Sequence, residues 1–201
     1  MPLIRINPLQ PDPAVLADAA RRLDAGGLVV FPTETVYGLA ADPAHPSAVD
    51  ALYEVKGRPA EKPIALFAAD VAQVRASGVA WPDVAARLAA RYWPGPLTLV
   101  LERCGEWIGY RIPDHPVPLA LLRATGHVLA VTSANRSGQP PVRDGAEAAQ
   151  VFAGSDVLIL DAGPVGGGVP STVVRVDGDG WTILRAGALG PDALRAAIGG
   201  P

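Results

Sequence analysis

Only two of the 17 basic residues in this 201-residue chain are lysines, and both fall in one window, Lys56-Gly57-Arg58-Pro59-Ala60-Glu61-Lys62-Pro63. The other 15 are arginines. Two compact ammonium groups in one stretch suit a role that a planar guanidinium does not fill, although two lysines are few enough to fall together by chance. Gly57 can turn the backbone so that Lys56 and Arg58 face one anion. The same pair at a helix end would also complement the helix dipole.

Four further places put polar groups at or near the ends of apolar strands, where open α/β sheets form ligand crevices. Phe31-Pro32-Thr33-Glu34-Thr35-Val36-Tyr37-Gly38-Leu39 follows a hydrophobic strand with hydroxyls, a phenol and a carboxylate. That set can orient a small polar ligand, or close an ordinary turn through hydroxyl-to-backbone bonds. Val131-Thr132-Ser133-Ala134-Asn135 ends a second apolar segment. Period two sends Ser133 and Asn135 to one side if the chain stays extended, as phosphate ligands or as a strand-to-turn cap. Arg111 lies in the apolar segment Ile108-Gly109-Tyr110-Arg111-Ile112-Pro113, which favours a paired over a solvated arginine, the partner being a ligand or a core Asp. Arg185 closes Trp181-Thr182-Ile183-Leu184 in the same way. Together these residues suggest a cationic, hydroxyl-rich crevice for a small anion such as a phosphate ester.

Other chemistries lack their residues. Gly163-Pro164-Val165-Gly166-Gly167-Gly168-Val169-Pro170-Ser171-Thr172 has neither the lysine nor the spacing of a P-loop, and there is no dinucleotide fingerprint or Gly-x-Ser-x-Gly elbow. The histidines His45, His115 and His127 stand far apart in sequence among loop residues, which argues against a zinc site and for surface or capping roles; no metal ligands are expected. The single cysteine, Cys104, has no histidine at a motif-like spacing and reads as a small, at least half-buried side chain.

The elements that must hold these residues alternate. Asp12-Pro13 opens a helix with Leu16, Ala19, Ala20 and Leu23 at helical spacing, and Gly26-Gly27 stops it. The pattern predicts strands over 28–31, 64–67, 98–101, 107–112, 128–132 and 157–160, and helices over 48–56, 84–92 and 117–124. Asp144 with Glu147 marks a capping box for a helix to 151. Strands over 172–176 and 181–184 flank the hairpin signal Asp177-Gly178-Asp179-Gly180, and a last helix starts near Pro191. Interleaved helices and strands with a hairpin predict an α/β layered fold around a mixed parallel and antiparallel sheet, in one domain over residues 1–201.

Composition agrees with such a fold. Hydrophobic residues make up 49% and charged residues 18%. Mean hydropathy is +0.23, too apolar for a disordered chain, and no apolar run approaches the ~18 residues of a membrane span. A net charge of −3 without a basic block does not advertise a nucleic-acid binder. A lone cysteine and a start without secretory features point to the cytoplasm.

Taken in order, Pro32-Thr33-Glu34-Thr35-Val36-Tyr37-Gly38-Leu39, Lys56-x-Arg58, Pro94-Gly95-Pro96-Leu97-Thr98, Arg111-Ile112-Pro113, Ser133-x-Asn135-x-Ser137-Gly138 and Pro170-Ser171-Thr172-Val173-Val174 resemble the YrdC/YciO family over nearly the whole chain. The resemblance implies a twisted mixed α/β sheet with a large positive cavity, distantly shared with dihydroxybutanone-phosphate synthase (YrdC/RibB-like). It implies synthesis of threonylcarbamoyl-AMP and pyrophosphate from L-threonine, bicarbonate and ATP, a nucleotidyl transfer with Mg²⁺ on the phosphates. A separate transferase complex would then pass the group to tRNA.

Carried over by motif, Lys56, Arg58, Ser133, Asn135, Ser171 and Arg185 would bind the nucleotide, with Lys56 and Arg58 catalytic. Thr33, Tyr37 and Arg111 would hold threonine and its carbamate. Substituting Lys56 or Arg58 by alanine is expected to abolish synthesis without unfolding. The chain stops soon after Arg185-Ala186-Gly187-Ala188, as the short single-domain members do. It departs from many synthases at Glu61-Lys62-Pro63-Ile64 and at Arg175, where an acidic residue is common. The alternatives are a YciO-type paralogue, a protein that binds double-stranded RNA or tRNA without synthase activity, and a small-ligand sensor. Gly138-Gln139-Pro140-Pro141 and the glycines at 166–168 are candidate lids.

Overall fold

Alternation along one short strand sets the layers of this computed structural model, which describes residues 2–59, 62–166 and 168–199. Strand β2 (Leu28–Phe31) sends Val29 and Phe31 into one core cluster and Leu28 and Val30 into another, all four buried. The first cluster lies under helices α1 (Pro13–Asp24) and α5 (Pro116–Thr125). The second lies under α2 (Pro46–Lys56) and α6 (Gly145–Val151). The parallel neighbour β8 (Val157–Asp161) divides its residues identically, Leu158 and Leu160 against Val157 and Ile159.

The remaining strands are β1 (Leu3–Arg5), β3 (Gly38–Ala41), β4 (Ala65–Phe67), β5 (Leu97–Arg103), β6 (Glu106–Arg111), β7 (Leu129–Ser133), β9 (Thr172–Asp177) and β10 (Gly180–Arg185). All ten described strands join one sheet in the order β1-β8-β2-β3-β7-β4-β6-β5-β9-β10. The pairs β1/β8, β2/β8, β4/β6 and β5/β9 are parallel and the other five antiparallel, as the mixed-sheet expectation requires.

In the second half of the sheet, Leu97, Leu99 and Leu101 on β5 join Tyr110, Val174 and Val176 beneath α4 (Asp83–Tyr92) and α7 (Pro191–Ile198), with Val74 of α3 (Val71–Ala76) at their side. Pairing fixes which residues share the opposite face: Ala65 lies beside Val131, Phe67 beside Arg111, Val100 beside Gly109 and Arg175, and Thr98 beside Val173. These residues line an open cavity. The face that α1 and α5 cover in the first half of the sheet is therefore left free in the second.

Local chemistry fixes the ends. The Asp12 side chain accepts the Ala14 N–H, and Pro13 starts α1. Helix α2 begins two residues earlier than the pattern predicts, because Pro46 is itself a favoured first helical residue. Asp144 accepts the Glu147 N–H as expected, but Glu147 reaches back to the Arg143 N–H, one residue before the cap. Gly178, at φ 57°, turns the β9–β10 hairpin. Three elements were not predicted: β1, β3 and α3. Two are strands of three and four residues, β3 being Gly-Leu-Ala-Ala with little β character, and α3 has a single turn and a half. Among the described residues no helix is long and apolar enough to cross a membrane.

Candidate active site

The cavity on the open sheet face measures about 760 Å³. Of the nine site residues expected from sequence, Thr33, Tyr37, Arg58, Arg111, Ser133, Ser171 and Arg185 line it. Lys56 and Asn135 do not belong to its wall.

Thr33 organises the turn after β2. Its Oγ1 accepts the N–H groups of Thr35 and Val36 at 3.1 and 3.2 Å and donates to Val36 O at 2.6 Å. With that proton committed, the 2.9 Å contact between the two hydroxyls has Thr35 as donor. Thr35 Oγ1 in turn accepts from Arg111 Nη2 at 2.9 Å. The turn reading holds for this segment, and the turn's own bonds present the Thr35 hydroxyl to the buried arginine.

Arg111 is paired, as its apolar strand demands. Nη2 donates to Glu34 Oε1 at 2.7 Å and Nε to Gly95 O at 3.2 Å, while the guanidinium lies 5.2 Å from the Phe67 ring centroid. The partner is a glutamate from the Thr33 turn rather than a core aspartate. Its second oxygen, Oε2, is buried without a hydrogen-bond partner among the described residues.

Tyr37 borders the cavity, but its side chain is buried and its hydroxyl is engaged elsewhere. The O–H donates to Gly163 O at 2.7 Å and accepts the Ala162 N–H at 3.1 Å, beside Asp161. Burial raises its pKa well above that of a free phenol, so it stays neutral.

The Lys-x-Arg pair divides. Gly57, in the left-handed region at φ 57°, ends α2, and the residues on either side of it point apart. Lys56 is 1% exposed, with Nζ donating to Ser133 O at 2.5 Å, Asn135 O at 2.8 Å and Asn135 Oδ1 at 3.1 Å. Its three protons are thus spent on protein oxygens, and it lies behind the wall rather than beside Arg58 in the cavity. Burial, followed by the nearby charge of Arg58, lowers it from 10.5 to about 8. Asn135 is engaged likewise: Oδ1 accepts from Ser133 Oγ at 2.6 Å, and Nδ2 donates to Arg136 O and Gln139 O. Although β7 ends at Ser133, the two side chains still meet.

Arg58 reaches the cavity, braced by Lys62 O and Pro63 O. Arg185 is braced by Ser171: Nη2 donates to the main-chain oxygen at 2.8 Å and to Oγ at 3.0 Å, and Ser171 Oγ contacts Thr98 Oγ1 at 2.9 Å. Its pKa is lowered by burial and then by the charges of Arg111 and Arg58. Arg185 thus feels two like charges across the cavity, a repulsion that a bound anion would relieve.

Residues outside those nine complete the wall. Lys62, and Arg175 stacked 3.7 Å from the Trp107 ring centroid, add charge. Thr98 and Gly109 form part of the floor, and alternation on β5 and β6 was the signal that could have marked them. Glu61 and Gly167 lie outside the described residues; Gly168 N–H donates to Thr35 O. Of the histidines, only His115 acts as a cap, its Nδ1 accepting the Val117 N–H. His45 and His127, remote in sequence, both approach Asp42. Cys104 is exposed, not half-buried.

Fold and wall define an α/β protein with a cation-lined cavity of nucleotide size on an open sheet face. The profile of the Sua5, YciO and YrdC family, described as telomere recombination, matches residues 21–187, and the chain belongs to that family. It is 39% identical over 199 residues to a Bacillus subtilis protein named threonylcarbamoyl-AMP synthase, a match covering 94% of this chain and 57% of that one. Pyrococcus abyssi Sua5, solved in complex with L-threonine, superposes with a TM-score of 0.92 at 33% identity, covering 99% of this chain and 61% of that one. Escherichia coli YciO shares the fold, with a TM-score of 0.86 at 24% identity over 94% of this chain and 97% of its own. The chain thus spans little more than half the length of the Bacillus and Pyrococcus proteins.

Proposed function

We propose that this chain is an L-threonylcarbamoyladenylate synthase, a nucleotidyltransferase that makes threonylcarbamoyl-AMP and pyrophosphate from L-threonine, bicarbonate and ATP. The observation that carries the reading is the convergence of Arg58, Arg111 and Arg185 on one cavity of about 760 Å³, large enough for a nucleotide and a small second substrate. The names of the relatives support it. In this reading threonine's amine captures carbon dioxide as a carbamate, a carbamate oxygen attacks the α-phosphorus, and pyrophosphate leaves. The protein contributes no covalent nucleophile. It holds two anions together against their repulsion and sets guanidinium groups where charge develops.

Arg58 and Arg185 with Ser133 and Ser171 take the nucleotide side, Lys56 and Asn135 brace Ser133 from behind, and Arg111 with the Thr33 turn takes the threonine side. Among the described residues the wall holds no carboxylate, and Glu34 is tied to Arg111. That donor set does not fit a resident Mg²⁺, so the ion enters as part of the metal–ATP substrate. The product would be consumed by a separate tRNA-modifying transferase in the cytoplasm.

The test is pyrophosphate release from ATP and bicarbonate with L-threonine, with L-serine and with no amino acid. Release that requires both threonine and bicarbonate is expected. A folded protein that binds ATP and releases none would overturn the assignment in favour of the paralogue or sensor reading.

A further inference from the structure

At the strand-end edge of the sheet away from Ser133, four side chains from three segments come together, Asp42 and His45 sharing the loop between β3 and α2. Asp24 ends α1, Asp42 follows β3, His45 precedes α2 and His127 precedes β7. Strand β7 runs from this edge to Ser133 in the cavity wall, roughly 13 Å along the strand. The cluster and the cavity are therefore separate sites.

Three features give it the character of a cation site. The first is spacing. His127 Nε2 lies 3.4 Å from Asp24 Oδ1 and 3.5 Å from Asp42 Oδ2, and His45 Nε2 lies 3.8 Å from the same Asp42 oxygen. Zinc bonds of about 2.0–2.2 Å to nitrogen and oxygen place tetrahedral ligands about 3.4 Å apart. The second is an unfilled acceptor. The Asp42 side chain is 6% exposed; its Oδ1 accepts the Ala44 N–H, but Oδ2, aimed at both imidazoles, accepts no hydrogen bond among the described residues. The third is ring orientation. His127 Nδ1 lies 3.2 Å from Val128 O, so the ring is held with Nε2 as the nitrogen turned towards the two carboxylates. The His45 ring is not used as a helix cap; it packs over Gly26 and approaches Asp42 from outside the three-residue cluster.

We infer that Asp24, Asp42 and His127 form a tetrahedral site for a divalent transition metal such as Zn²⁺, with water as the fourth ligand. Such an ion would pin the end of α1, the exit of β3 and the entry to β7, a structural role distinct from the chemistry of the cavity.

The test uses the full chain, tag-free, stripped by a chelator and without nucleotide. Titration with Zn²⁺ is expected to show one equivalent bound and a rise in Tm. His127→Ala and Asp24→Asn, both at partly exposed side chains, are expected to weaken binding by about 100-fold, whereas Cys104→Ser leaves it unchanged. Co²⁺ is expected to give the intense visible bands of a tetrahedral complex, lost in His127→Ala. No saturable Zn²⁺ binding, undiminished binding in His127→Ala, or a weak six-coordinate Co²⁺ spectrum would each overturn the inference, leaving His127 as an ion-pair partner of Asp24 and Asp42 alone.

Discussion

Lys56 grips Asn135 twice, donating to its main-chain oxygen at 2.8 Å and to its side-chain Oδ1 at 3.1 Å, so the last residue of α2 fixes the turn beyond β7. The cavity wall at Ser133 rests on this contact, because Ser133 gives its own oxygen to the same ammonium and its hydroxyl to the same Oδ1.

Lys56 and Arg58 are therefore expected to respond differently to substitution. Lys56→Met strands buried acceptors and should cost about 2–4 kcal/mol in urea unfolding. Arg58→Ala removes a partly exposed side chain and should cost under about 1 kcal/mol, yet weaken ATP binding by about 10-fold or more. Equal stability losses in the two variants would contradict the division. Lys56→Ala, expected from sequence to lose synthesis without unfolding, should on this geometry lose stability as well.

The pH dependence of stability carries a signature of Lys56. Its folded value, lowered to about 8 by burial and by Arg58, lies below the unfolded value of 10.5. Between these pH values the unfolded chain holds the extra proton, so this group's contribution to stability is constant below about pH 8 and rises with pH above it. The difference between the wild-type and Lys56→Met stability profiles isolates the effect. A difference that falls from pH 8 upwards would have the wrong sign.

Arg111 and Glu34 should behave as one unit. Arg111→Met leaves a largely buried carboxylate unpaired and is expected to cost about 3 kcal/mol. Glu34→Gln in the same background should recover part of that loss, giving a coupling of roughly 1–3 kcal/mol in a double-mutant cycle. Additive losses would mean that the 2.7 Å contact carries no energy of its own.

Gly109 offers a steric test of the cavity. A Cβ there would stand 3.4 Å from Ala65 Cβ and Thr98 Cγ2, so Gly109→Ala should change stability by less than about 1 kcal/mol. Gly109→Leu would push its side chain into the cavity and should abolish ATP binding while the protein stays folded by circular dichroism. Wild-type affinity in Gly109→Leu would place the nucleotide elsewhere.

Periodicity made most of the frame legible in the sequence. The buried stripe of α1 and the four residues of β2 follow directly from spacing, and the hairpin of β9 and β10 from Asp177-Gly178-Asp179-Gly180. Strand β3 was not legible, because glycine and two alanines become a strand only through partners on both sides. At the site, residue type identified Arg111 as paired but not its partner, since Glu34 stands 77 positions away. Sequence also placed Lys56 beside Arg58 without revealing that one faces inward. Direction after a left-handed glycine depends on what the core offers, here the carbonyl oxygens that end β7. The convergence of His45 and His127 was hidden for the same reason: antiparallel β3 and β7 bring together segments more than 80 residues apart.

Strand β4 joins the two halves of the sheet by two short ladders, three residue pairs to β7 and only two to β6. The cavity straddles this seam, with Thr33, Tyr37 and Ser133 on one bank and Arg111, Arg175 and Arg185 on the other. A molecule gripped from both banks acts as a cross-brace over the thinnest stretch of backbone pairing. Ligand affinity and the stiffness of the seam are then two readings of one free energy, and amide exchange along β4 would slow in proportion to occupancy of the cavity.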